Sequence, residues 1–151
     1  MLIRLNSEQV MRYWPSVEEA LRAAVPFADT FTSEQMLDLQ EKCVRGALQT
    51  WLVYNVQADA TGQDKVLPLA IGLTTVLEAI GHRGKELLIY ALCSYENVPM
   101  DIWREAFESL KKFARSEGCS VVTALTKSPR VLQMVRQIGG NVETTYCRME
   151  V

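Results

Sequence analysis

The sequence predicts an α/β domain on a mixed sheet, with elements in the order β-α-α-β-β-β-α-β-α-β and one parallel strand pair. Three observations predict it. Three extended runs follow one another between Thr50 and Ser94 with short turns between them, which reads as an antiparallel meander. The third run then passes through an amphipathic helix into another apolar run, the crossover that a parallel pair needs. Two helical stripes precede the meander, behind a short opening strand. A chain of 151 residues predicts one domain, residues 1–151, around one core.

Each element has its own signal. "MLIRLN" reads as the first strand. Behind it, "SEQVMRYWPSVEEALRAAV" places Met11, Trp14, Val17, Leu21 and Ala24 at helical steps, with Ser7 able to cap the start. Pro15 inside that stripe predicts a kink or a split, and Pro26 ends it. "TSEQMLDLQEKCVRGALQ" opens with Thr32 and Gln35 three residues on, the spacing of a capping box, and predicts a helix from Ser33 to Gln49. "TWLVYNVQA", "VLPLAIGLTTVLEAI" and "ELLIYALCS" are the three meander strands. Gly72 in the second suggests a bulge or a close backbone approach.

The turn "SYENVPMDIW" leads into "MDIWREAFESLKKFARSEG", a helix with Trp103, Phe107, Leu110, Phe113 and Ala114 on one face, Asp101 as its cap and Gly118 at its end. "CSVVTAL" is a buried strand. "SPRVLQMVRQIGG" has Ser128 at the N-cap, Pro129 at the first helical position and Gly139 at the stop, with Val131, Val135 and Ile138 inward. "NVETTYCRMEV" closes the chain as a strand.

Composition narrows the function classes. The net charge is -2, and residues 1–75 carry 6 basic and 9 acidic groups against 10 and 9 in residues 76–151. Nucleic-acid binding through phosphates needs a concentrated basic face. Lys111, Lys112 and Arg115 are the only such cluster, and they read as the solvated side of a helix. Cys43, Cys93, Cys119 and Cys147 form no short-spaced pair, so they read as buried free thiols of a reducing compartment, with Cys93 and Cys119 on adjacent strands, which the fold resemblance described below would put near its splay. With His82 as the only histidine, no metal site is expected. The start "MLIRLNSEQ" lacks the apolar core of a signal peptide, and no run approaches the ~20 apolar residues of a membrane span.

The remaining candidates are modest. "GHRGK" places His82, Arg83 and Lys85 in a basic turn, flanked by Glu78 and Glu86, which could act as a general base but read first as strand-end charges. Trp14, Trp51 and Trp103 read as core or half-core, with one of them able to anchor a partner.

Two long stretches, "FARSEGCSVVTAL" and "SPRVLQMVRQIGGNVETTYCRMEV", together with the opening "MLIRLNSEQVMRYWPSVEEAL", carry a resemblance to the GCN5-related N-acetyltransferase (GNAT) fold. The resemblance implies a splay beside the parallel strand pair that acetyl-CoA would fill, with its pyrophosphate on a glycine-containing turn before the long helix. The turn here departs from that pattern. Ser94, Glu96, Val98, Pro99 and Asp101 offer no glycine, one position without an N–H and two acids, which suits neither close approach nor charge. A second departure is Val135, where many of these enzymes place a tyrosine acid; Tyr146 on the last strand is the weak substitute.

The degenerate turn and the early "YWP" look most like the small GNAT-like proteins of tailed bacteriophages. That resemblance implies a non-catalytic structural or assembly protein, without a catalytic residue or a cofactor, acting through protein partners such as virion components or further copies of itself. It implies residence in the host cytoplasm or the virion, with no nucleic-acid or membrane partner. Val98, Met100 and Trp103 would form its docking surface at the mouth of the groove. The alternatives are an acetyl-CoA-dependent N-acetyltransferase and a phage protein that inhibits a host enzyme.

Overall fold

The computed structural model describes residues 1–25, 30–78, 84–95, 97–126 and 128–142. The elements run β1 (Leu2–Arg4), α1 (Ser7–Arg12), α2 (Trp14–Ala24), α3 (Ser33–Val44), β2 (Gln49–Ala58), β3 (Asp64–Glu78), β4 (Lys85–Ser94), α4 (Met100–Ser116), β5 (Cys119–Ala124) and α5 (Pro129–Gln137). The expected last strand, with Tyr146 and Cys147, lies outside the described residues, as do Pro26, His82, Arg83 and Glu96.

The five strands form one sheet in the order β1-β2-β3-β4-β5, antiparallel except for the parallel β4–β5 pair. Alternation along β2 decides which residue faces which layer. Trp51 and Val53 face α4, and Leu52 faces α1 to α3. On the first face Leu87, Leu110, Ala114 and Cys119 join Trp51, while Leu69, Ala70, Val98 and Ala106 join Val53. On the other face Val10, Val17, Leu21, Met36, Leu39 and Cys43 pack on Ile71, Leu73 and Ala91.

Local chemistry explains the ends. Pro15 splits the first helix as expected, because its ring suits only a first turn, and α2 starts around it. The cap of α1 is Asn6 rather than Ser7. Asn6 and Gln9 make a reciprocal capping box, while the Ser7 hydroxyl donates to Val44 O at 2.8 Å. Met11, expected on the inner stripe, is 54% exposed, and Val10 takes the buried position. The Thr32–Gln35 capping box is formed, but α3 stops at Val44 instead of Gln49. Gly46, with φ of 79°, turns the chain, and Gln49 enters the strand ladder opposite Thr74.

Two bulges shape the sheet. Val53 pairs with Ala70 and Tyr54 with Pro68, so Leu69 is an extra residue in β3, next to a proline that a regular ladder would not accept. Leu73 pairs with Ala91 and Thr74 with Ile89, so Tyr90 is an extra residue in β4. Gly72, where the bulge was expected, is paired regularly with Trp51 and Leu92.

Candidate functional site

The bulge at Tyr90 positions the site. A bulged strand bends and twists away from its neighbour. The parallel pairing accordingly ends at Ile89 with Ala124, and the last bond is from Leu125 N to Ile89 O at 3.0 Å. Beyond it β4 and the chain after β5 part. The opening holds a cleft of about 170 Å³ between the end of β4 (Leu92, Cys93, Ser94), Trp103 of α4, and Thr126, Ser128, Arg130 and Met134 on the far wall. Behind it lies a second, apolar space of about 60 Å³ against Trp51, Val53 and Leu110. Leu92, Trp103 and Met134 line both spaces and separate them. Trp103 therefore folds down into the splay beside Met134.

The turn above the cleft is held by the core. Tyr95 N donates to Leu69 O at 2.9 Å, and Val98, only 8% exposed, packs in the cluster of Val53, Leu69, Ala70 and Ala106. This removes Val98 from an exposed docking set: Val98 is core, Met100 and Trp103 are half-buried, and Pro99 and Asp101 are exposed.

The cap of α4 is corrected as well. The helix begins at Met100, two residues earlier than Asp101 would require of a cap. Pro99 occupies the N-cap without a side-chain hydrogen bond, and Asp101 sits exposed in the first turn, where it contributes charge but no cap. Ser94 closes β4 half-buried in the cleft wall.

The turn departs from the glycine-containing pattern. Its described residues include no glycine, Pro99 has no N–H, Val98 pins the backbone to the core, and Asp101 adds a carboxylate to the first turn of α4. One cation stands near. The guanidinium of Arg130, which lines the cleft, donates to the side-chain oxygen of Asn97 in the turn after β4.

The thiols are set apart from each other. Cys119 pairs with Lys85 at the start of the parallel ladder, and Cys93 lies past its end, so the two occupy opposite ends of adjacent strands instead of sharing the splay. Cys119 is buried and Cys93 half-buried. Burial raises both thiols; acidic Glu19 adds to the effect at Cys93, and Lys85 opposes it at Cys119. Neither has the depressed value of a nucleophilic thiolate. Tyr95, beside the cleft, is raised by burial and by Cys93 and Glu19.

The other sequence candidates are scattered. Glu78 pairs with Lys85 across the strands and is exposed, and Glu86 is half-buried opposite Leu77. Val135 is half-buried on α5, and its carbonyl accepts from Gly140 N at 2.8 Å. Trp14 packs on the core of α1 to α3 and Trp51 is buried. Among the described residues no three His, Cys, Asp or Glu side chains group as metal ligands, and no helix is long and apolar enough to cross a membrane. Sequence reasoning missed Asn97, Arg130 and Met134. Arg130 and Met134 were read only as filling in a well-punctuated helix, and nothing local in the sequence pairs Arg130 with a residue 33 positions away.

No protein-family model matches the sequence, and no curated protein is similar to it in sequence. Solved structures do resemble it. An aminoglycoside N-acetyltransferase in complex with CoA superimposes with a TM-score of 0.67 at 8% identity, covering 100% of this chain and 93% of that one. An aminoglycoside acetyltransferase from an uncultured soil metagenomic sample, in complex with sisomicin, gives 0.66 at 14%, covering 100% and 94%. A ribosomal-protein-alanine N-acetyltransferase from Brucella melitensis biovar Abortus gives 0.65 at 10%, covering 100% and 99%. At such identities the likeness speaks to the fold alone. The mixed sheet with its parallel β4–β5 pair is a GNAT-like fold.

Proposed function

We propose that this GNAT-like protein is non-catalytic and works by protein–protein contact. The observation that carries the reading is the divided splay: Leu92, Trp103 and Met134 line both of its spaces and partition the opening that an acetyl-CoA arm would need to be continuous. The turn above it agrees, since it offers no glycine for close approach and Pro99 at its end has no N–H. Fold alone does not assign chemistry. The resemblance to tailed-phage proteins extends the reading to a virion structural or assembly role, in the host cell or the particle.

One observation favours acetyl transfer as the second reading. The first-turn amides of α4 have no side-chain cap, so that helix end is not blocked by its own residues. The CoA bound to one structural neighbour gives that reading its cofactor.

Thermal melting with millimolar acetyl-CoA separates the two. A ligand at a hundred times its dissociation constant adds ~2.7 kcal/mol of stability. The proposal expects no shift, and a saturable upward shift overturns it. Mass spectrometry of purified particles from the source phage tests the virion role; absence of the chain from the particles removes it.

A further inference from the structure

The two walls of the cleft come from distant parts of the chain. Asn97 lies in the turn after β4, and Arg130 lies in the first turn of α5. The strands beneath them share no ladder bond past Ile89 and Leu125. Helix α5 has no fully buried side chain, whereas α4 buries Ala106, Leu110 and Ala114. A helix with few buried anchors opens at lower cost than the core does. The hydrogen bond from the Arg130 guanidinium to the Asn97 side chain joins α5 to that turn, and both residues are exposed. Arg130 lines the cleft of about 170 Å³, with Cys93 also in its wall.

We propose that the Asn97–Arg130 contact is a latch. It ties α5 to the turn before α4 and narrows the cleft, and its release opens the cleft without unfolding the core. Its logic is geometric. The contact is exposed and so contributes little to the core, but it is placed where a small loss of attachment moves a whole wall. The inference deepens the proposed function by giving the divided splay a means of regulation, and it rests on that reading only in taking the cleft as narrowed at rest.

Cys93 reports the opening. Its thiol is labelled with a maleimide under native conditions, and peptide mass spectrometry follows each cysteine separately. Cys43, buried in the α1–α3 core, reports global unfolding in the same sample. Asn97→Ala and Arg130→Ala are each expected to speed Cys93 labelling by about tenfold, the factor that about 1.4 kcal/mol corresponds to, while Cys43 labelling stays unchanged. The double variant is expected to match the single ones, because both remove one contact. Unchanged Cys93 labelling in the single variants overturns the latch. So does a parallel rise at Cys93 and Cys43, which would make the contact part of global stability. Acetyl-CoA binding by the unaltered protein would overturn the functional reading and leave the labelling result standing.

Discussion

Thr74 shows how much one hydroxyl can organise in a sheet. It accepts from Trp51 Nε1 at 2.8 Å and donates to Gln49 Oε1 at 2.9 Å, and both bonds are buried. Gln49 passes the chain on to Gly46 O at 3.1 Å, the residue that ends α3. Thr74→Val removes both bonds and leaves two buried polar atoms without partners, each at a cost of ~1–3 kcal/mol. We expect a loss of ~2 kcal/mol or more by urea denaturation. Thr75→Val is the control, because its hydroxyl bonds Ala47 O near the surface, and it should cost less than ~1 kcal/mol. Cys43 gives a pH prediction. Burial pushes its thiol from 9.0 to about 11, offset in part by the neighbouring Thr50 hydroxyl. In the unfolded chain the thiol ionises first, so the unfolded state binds fewer protons between pH 9.0 and about 11. Stability from this group is whole below pH 9.0 and falls as pH rises through that window. Melts across it should show a decline that Cys43→Ala reduces. The sequence made the burial of Cys43 legible through its helical stripe, but it gave no sign of the Trp51–Thr74–Gln49 chain, whose members come from two strands.

At the scale of elements, the start of α4 is the most informative. Pro99 fixes the backbone at the N-cap but offers the helix no side-chain acceptor. Pro99→Asp should therefore be more stable than Pro99→Ala by ~1 kcal/mol, a comparison in which the lost proline ring cancels. Equal melting temperatures would mean that another group already satisfies those amides. The same turn explains what the sequence could and could not tell. A capping box has two reciprocal bonds, so the Thr32–Gln35 spacing located the start of α3 directly. The start of α4 carries a single acid, and nothing local distinguishes Asp101 as cap from Asp101 as first-turn charge. The end of α3 was misread for a different reason: "GALQ" continues a helical pattern, and only pairing with β3 draws Gln49 into the sheet. Trp103→Ala tests the wall between the two spaces. Because Trp103 is half-buried, it should cost ~2 kcal/mol, less than truncating a fully buried aromatic, and join the cleft to the apolar space behind it. Met100→Glu, at a half-buried site outside both linings, should cost clearly less.

Across the whole molecule, the order of elements and the parallel crossover were legible, because they follow from periodicity and from the short turns of the meander. The splay was legible only through the resemblance, since the bulge at Tyr90 that opens it is a matter of register between β3 and β4. Its division was not legible at all. Trp103, Met134 and Leu92 meet only because α4 and α5 close on the same end of the sheet. The central claim of the account is that this divided splay, under a turn without glycine, does not hold acetyl-CoA. Trp103 lines both spaces of the splay. The most direct measurement is a heteronuclear NMR titration of its indole signal, assigned by comparison with Trp103→Phe, with acetyl-CoA raised to millimolar concentration. The account predicts that the signal stays in place throughout. A saturable displacement of the Trp103 indole, with the Trp14 and Trp51 signals unmoved, would contradict it.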